Sequence, residues 1–215
     1  DRFICPPTAC ARRQPRYMTV ARGECTSIQP APIDDLAFKS KVASPLTPGK
    51  CLEAYSKETP LYRNANAALR SDDPSLDEYA AFIWHAKLEM KNLIKERGIY
   101  KGFVWRGAKL SDDQLEFYQK GRQFLWANFT STSRNRNVAL KFDGNALFEI
   151  DCNGKGITYC ADISHISKFP KEEEVLFFPY SGFVVKDVNV EMGRLVVFLQ
   201  TRDTLLVEEE NAEVV

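Results

Sequence analysis

The stretch Glu174-Val175-Leu176-Phe177-Phe178-Pro179-Tyr180-Ser181-Gly182-Phe183-Val184-Val185-Lys186-Asp187-Val188-Asn189-Val190 decides the fold class. Two runs of apolar, β-branched and aromatic residues, 174–178 and 183–190, flank the turn signal Pro179-Tyr180-Ser181-Gly182. That is the pattern of strand, turn, strand. Similar runs recur at 122–130, 146–151, 157–160 and 194–201, with Asn153-Gly154-Lys155-Gly156 as a further turn, and an earlier strand is read at Phe103-Val104-Trp105-Arg106.

Upstream the period lengthens from two toward that of a helix. Thr59-Pro60 reads as an N-cap followed by proline at the first helical position, with Leu61, Ala65, Ala68 and Leu69 on one stripe. A longer helix follows Asp73-Pro74. Its stripe runs Leu76, Tyr79, Ala80, Ile83, Lys87, Met90 and Ile94, and it stops at Arg97-Gly98. Ser111-x-x-Gln114 is a capping box that starts a short third helix, expected to end at Gly121. Helices first and strands afterwards, without βαβ alternation, predict an α+β domain whose N-terminal helices pack on a largely antiparallel sheet.

The 215 residues, 44% of them hydrophobic, are enough for one domain with a substantial core. Twenty-nine basic and 29 acidic side chains cancel, so no global field favours nucleic acid or an acidic membrane, and any anion site must be local. No apolar run approaches the roughly 18 residues of a membrane span, and Asp1-Arg2-Phe3-Ile4-Cys5 is not a signal peptide; a soluble chain is expected. Six cysteines, at 5, 10, 25, 51, 152 and 160, contain no Cys-x-x-Cys, and the only histidines are His85 and His165. No metal is expected, and Ser-His-Asp or Cys-His catalysis has few possible members. Residues 1–50 hold seven of the eleven prolines, with eight basic and four acidic side chains, and are read as an irregular leader. Residues 51–203 are expected to form the domain, and 204–215, acidic and without a base, a frayed tail.

Three motifs carry chemistry. In Val104-Trp105-Arg106-Gly107 an arginine is expected to end a strand and a glycine follows it. The planar guanidinium matches phosphate oxygens, and glycine admits a flat ligand close to the backbone. Taken alone, the pair also fits a solvated residue and a turn. In Phe129-Thr130-Ser131-Thr132-Ser133, leading into Arg134-Asn135-Arg136-Asn137-Val138-Ala139-Leu140-Lys141-Phe142, clustered hydroxyls can orient a carboxylate or ribose and the arginines can meet a pyrophosphate. A helix cap at Ser133 explains the same residues without a ligand. In Phe169-Pro170-Lys171-Glu172-Glu173-Glu174 an acidic run enters an apolar strand. If the run is extended, Glu172 and Glu174 share one face and Glu173 takes the other. A plain acidic loop is the alternative.

In the order Arg-Gly, Ser-Thr-Ser, Glu-x-Glu on successive strand edges, these motifs form a specific signature. The chain resembles the mono-ADP-ribosyltransferases of the arginine, serine, glutamate class, and in particular eukaryotic arginine-specific members, over about residues 55–202. The resemblance implies a two-sheet β core behind the N-terminal helices and transfer of ADP-ribose from NAD+ to an arginine of an acceptor protein. NAD against NADP use and the oligomeric state stay open.

Carried over by motif, Arg106 would bind the NAD diphosphate or nicotinamide ribose, and the Gly107 backbone the carboxamide. Ser131 would hold Glu174, Thr132 and Ser133 would shape the pocket, and Phe142 would stack on nicotinamide or belong to the core. Glu174 would stabilise the oxocarbenium-like charge of the breaking nicotinamide–ribose bond. Glu172 would orient the acceptor guanidinium and relieve it of a proton, and Phe169 would contact the acceptor or anchor its loop.

The cysteines expected around these motifs in vertebrate extracellular members are missing. Simple hairpin pairing sets Cys152 near Ile157 and Cys160 near Glu149, against a disulfide between them. The sequon Asn128-Phe129-Thr130 abuts Ser131. Both features lean toward an intracellular setting. Rival readings are an NAD+ glycohydrolase with water as acceptor, a catalytically silent binding domain, and a glycoside hydrolase using paired carboxylates.

Overall fold

The computed structural model describes residues 49–57, 59–154, 160–202 and 213–214. Most of the leader, and with it Cys5, Cys10 and Cys25, lies outside the described residues, as do part of the 157–160 run and most of the acidic tail.

Three helices come first: α1 (Cys51–Ser56), α2 (Pro60–Ser71) and α3 (Leu76–Arg97). α1 has no counterpart in the sequence reading. A helix of six residues has too few turns to show a period, and this one is completed by a distant carboxylate. Glu89 of α3 accepts from the N–H groups of Gly49, Cys51 and Leu52 at 3.0, 2.9 and 3.0 Å, satisfying the open first turn and adding negative charge at the helix N-terminus. α2 buries the expected Leu61, Ala65, Ala68 and Leu69, and Asn66 with them, although the Thr59 hydroxyl makes no capping bond. On α3 the expected Leu76 and Met90 are buried and the expected Tyr79, Ile83 and Ile94 pack part-buried against the same core, but Phe82 and Ala86, outside the expected stripe, are buried as well. The α3 pattern is ambiguous because apolar residues occur on both flanks. Packing buries the Phe82 side most deeply and leaves Lys87 half-buried, where desolvation, then Lys91, lowers its ammonium pKa.

The strands are β1 (Phe103–Ala108), β2 (Gln123–Trp126), β3 (Thr130–Ser133), β4 (Ala146–Asp151), β5 (Cys160–Asp162), β6 (Glu174–Phe177), β7 (Ser181–Glu191), β8 (Arg194–Arg202) and β9 (Glu213–Val214). Two further short helices, α4 (Asp112–Phe117) and α5 (Arg136–Leu140), lie between them. In place of the expected two sheets, hydrogen bonding runs through one mixed sheet in the order β5-β6-β3-β1-β4-β8-β7-β2-β9. The β4–β8 and β2–β9 pairings are parallel and the other six antiparallel. Both halves of that order contribute to one core, in which Val104, Phe148, Val175 and Phe177 meet Phe124, Trp126, Phe183 and Val197. The second core holds the helices against the other face of the β5–β6–β3 end, through Phe129, Ala161, Ile163, Leu176 and Phe178. β6 is buried on both faces, which is why it reads as an unbroken apolar run.

Four further sequence readings change. The 122–130 run is two strands, because β2 pairs with β7 while β3 pairs with β1 and β6, in opposite halves of the sheet. α4 keeps both bonds of its capping box but ends at Phe117 instead of Gly121. Tyr118 leaves the helix to bury its ring against Phe117, Phe124 and Phe148, with centroids 5.2, 5.5 and 5.0 Å away. The tail does not fray throughout, since Glu213 and Val214 pair with Phe124 and Leu125. Finally, β4 and β5 are not hairpin partners. Cys152 and Cys160 are nonetheless both buried, free thiols in the same core. The hydrogen bond between them, then burial, raises the Cys152 pKa.

Candidate active site

β3 and β6 pair antiparallel, with Ser131 opposite Leu176 and Ser133 opposite Glu174. Alternation puts Ser131, Ser133 and Glu174 on one face, and the diagonal across the pair brings Ser131 to Glu174. The Ser131 hydroxyl donates to Glu174 Oε1 at 2.6 Å. Thr132 points the other way, its hydroxyl donating to the Val175 carbonyl at 2.7 Å. Glu174 is only 5% exposed. Its other oxygen, Oε2, accepts from the Ser167 hydroxyl at 3.2 Å. Ser167 belongs to no motif, and no signal in the sequence distinguishes it from a loop serine.

The helical layer closes in behind this carboxylate. The Tyr55 hydroxyl of α1 accepts from Asn66 Nδ2 at 3.3 Å, and Asn66 Oδ1 takes the Phe129 N–H at 3.1 Å. Burial, with smaller contributions from Tyr62 and Glu174, raises the Tyr55 pKa well above its ordinary value. Asn66, a polar residue on the buried stripe of α2, therefore fixes the chain just before the Ser-Thr-Ser strand.

Arg106 and Gly107 lie inside β1, which continues to Ala108, so the arginine does not end its strand. Its Nη1 donates to the Ser131 carbonyl at 2.7 Å. The glycine has a packing reason: a Cβ there would come within 2.3 Å of the Ala139 carbonyl oxygen and 2.7 Å of Phe142 Cβ. Only glycine lets α5 cross β1 at this distance. The same close crossing brings Phe142 against the strand.

Glu172-Glu173-Glu174 is not extended. Pro170–Glu172 forms a 3₁₀ turn and Glu173 is left-handed, with φ 48° and ψ 49°, before β6 begins at Glu174. The Glu172 carbonyl accepts from the Ser133 hydroxyl at 2.6 Å, which ties the turn to the Ser-Thr-Ser strand. Ser133 does not cap α5; Asn135 does, accepting from the Asn137 N–H at 3.0 Å. The nearby arginines are engaged with carboxylates: Arg134 meets Asp162 at 3.1 Å and Glu173 at 3.8 Å, and Arg136 meets Glu191 at 2.8 Å. Phe169, at the head of the turn, is 44% exposed. The sequon is built into the fold, with Phe129 and Thr130 buried and Asn128 Nδ2 donating to the Phe129 carbonyl at 2.6 Å.

These elements surround an open cleft of about 370 Å³, lined among others by Arg106, Gly107, Ser131, Ser133, Phe142 and Glu172, with Trp105 and Thr132 completing the β1 and β3 walls. The structure thus places every candidate site residue except Glu174 and Phe169 on the lining. Glu174 lies one hydrogen bond behind it, through Ser131. A guanidinium, hydroxyls, a carboxylate and aromatic rings converging on one cleft fit a polar, flat ligand carrying phosphate. Among the described residues no group of three or more His, Cys, Asp or Glu is placed to hold a metal, and no helix is long and apolar enough to cross a membrane.

The family described as ART, NAD:arginine ADP-ribosyltransferase, matches residues 47–205, well over half of the sequence. The chain belongs to this family. Among its ART relatives, NAD(P)(+)--arginine ADP-ribosyltransferase 2 of Gallus gallus is 30% identical over 158 residues, 70% of this chain and 47% of that protein. The NAD(+)--protein-arginine ADP-ribosyltransferase Tre1 of Pseudomonas putida is 35% identical over 138 residues, 64% of this chain and 26% of that protein. The chain thus spans less than half the length of either relative. The solved structure of the ADP-ribosyltransferase Vis of Vibrio splendidus in complex with agmatine matches with a TM-score of 0.59 at 25% identity, over 77% of each chain.

Proposed function

We propose that this ART-family chain transfers ADP-ribose from NAD+ to the guanidinium of an arginine on an acceptor protein, releasing nicotinamide. The observation that carries the reading is the pair of unequal carboxylates: Glu174, buried and bonded through both oxygens, and Glu172 on the cleft lining. The names of the relatives, and the agmatine bound to Vis, support an arginine-like acceptor.

NAD+ enters as a substrate in this scheme. Arg106, held at the cleft by the Ser131 carbonyl, meets the diphosphate or the nicotinamide ribose, and the Gly107 backbone takes the carboxamide. Phe142 offers a ring to nicotinamide, while Thr132 and Ser133 shape the β3 wall. As the bond between nicotinamide and ribose breaks, positive charge grows on the sugar and the bonding pair leaves with nicotinamide. A carboxylate already fixed in a low-dielectric surrounding stabilises that charge without having to reorganise, and Glu174 is fixed in this way. The acceptor guanidinium is protonated in water, since its pKa lies above about 12. Glu172 orients it from the rim and takes a proton as its nitrogen bonds to the ribose carbon. Phe169, exposed ahead of the turn, contacts the acceptor protein.

Incubation of the purified chain with NAD+ and agmatine, beside Glu174→Gln and analysed by mass spectrometry, tests the proposal. ADP-ribosyl-agmatine formed by the wild type and lost in the variant is the expected result. Free ADP-ribose without the conjugate would replace transfer by hydrolysis, and no consumption of NAD+ would leave a binding domain.

A further inference from the structure

Ser167 stands between β5 and the 3₁₀ turn that carries Glu172. It is 8% exposed. Its hydroxyl oxygen accepts the Phe169 N–H at 3.2 Å and lies 3.2 Å from Glu174 Oε2. One hydroxyl has one proton. With Phe169 already donating to that oxygen, the Ser167 proton is available to Glu174, and the sequence Phe169 N–H, Ser167 O–H, Glu174 Oε2 forms a directional chain in which each bond polarises the next. Next to it, the Lys168 N–H donates to the Ser56 hydroxyl of α1 at 2.8 Å. The helical layer therefore holds the segment that presents Ser167.

A carboxylate bonded at one oxygen can still turn about its last torsion, whose wells are broad. Ser131, at 2.6 Å, bonds Oε1, and Ser167, at 3.2 Å, bonds Oε2. A second hydroxyl on Oε2 sets the plane. The two donors also differ in origin: Ser131 sits on a central strand, whereas Ser167 sits in the segment leading to the acceptor side of the cleft.

We infer that Ser167 is a positioning residue that orients Glu174 through its second oxygen and couples that orientation to the turn bearing Phe169 and Glu172. The glutamate is aligned when the acceptor-side turn has the shape seen here, and loses alignment when the turn is displaced. This inference rests on the reading of Glu174 as the charge-stabilising group.

The test is nicotinamide release from NAD+ by the full chain, with and without agmatine, for the wild type, Ser167→Ala, Ser167→Thr and Ser167→Cys. Loss of a hydrogen bond to a charged group predicts that kcat of Ser167→Ala falls at least about tenfold, with KM for NAD+ within about twofold. Ser167→Thr, which keeps the hydroxyl, recovers most of the rate. Ser167→Cys, close in volume but a weak donor, stays low; it serves in place of the alanine variant if that variant does not fold by thermal melting. Introduced into Glu174→Gln, the alanine change costs less than about twofold, because no carboxylate remains to be aligned. An unchanged kcat in Ser167→Ala, or an equal fractional loss with and without the Glu174 carboxylate, overturns the inference. If the wild type releases no nicotinamide, the reading of the reaction fails separately. The crystal structure of Ser167→Ala then decides the positioning: a Glu174 carboxylate turned away from Ser131 supports it, and an unmoved one overturns it.

Discussion

Glu174 opens strand β6, is buried, and is bonded by hydroxyls at both oxygens, whereas Glu172, two positions earlier, closes a 3₁₀ turn on the lining of the cleft. One left-handed residue, Glu173, separates them. Had the three been extended, both outer carboxylates would have pointed to the same face as equals. The reversal at Glu173 instead leaves one in the sheet, bonded by Ser131 and Ser167, and one on the lining of the cleft. The comparison teaches how two identical side chains come to stand on different terms: backbone placement decides which is held in the sheet and which faces the cleft.

The largest effect is expected from removing the fixed charge. Glu174→Gln should lower nicotinamide release by about 10²- to 10³-fold with agmatine or with water, while NAD+ binding, read by calorimetry, changes little. Glu172→Gln should separate the two carboxylates. ADP-ribosyl-agmatine formation falls by about a hundredfold, the scale of general-base contributions, while nicotinamide release into water persists. Equal loss of both activities would show that the two glutamates do one job.

Gly107→Ala probes the wall common to both. Its methyl would meet the Ala139 carbonyl oxygen and Phe142, and the strain should cost about 2 kcal/mol, measured as a shift in the denaturant midpoint. The smallest effect belongs to the middle glutamate. Glu173→Asn keeps a residue that tolerates the left-handed backbone and removes only half-exposed contacts to Arg134 and Asn135. Stability should stay within about 1 kcal/mol and nicotinamide release within about twofold. A large loss of activity there would break the distinction between the reversal and its two flanking carboxylates.

Much of this was legible because local chemistry is written locally. The Thr59-Pro60 helix start, the Ser111–Gln114 capping box and the apolar run of β6 depend on residues a few positions apart, and each predicted element is present. Residues of the Arg-Gly, Ser-Thr-Ser and Glu-x-Glu motifs, far apart in the chain, meet at one cleft. What failed depended on partners distant in sequence. α1 is completed by Glu89, Tyr118 leaves its helix for an aromatic core, and a single apolar run at 122–130 serves two strands in different halves of the sheet.

By itself, then, the sequence determined the fold class, the residue types of the cleft and their order along the chain, since periodicity, caps and turn signals act over short separations. Tertiary structure alone decided that Gly107 is required by the crossing of α5, that Arg134 and Arg136 are paired with acids, and that Ser167 reaches Glu174. It also set Glu172 and Glu174 on different terms, through the backbone reversal between them. These outcomes rest on distances between segments far apart in the chain, where a difference of one ångström separates a hydrogen bond from no contact, and no pattern of neighbouring residues encodes such a distance.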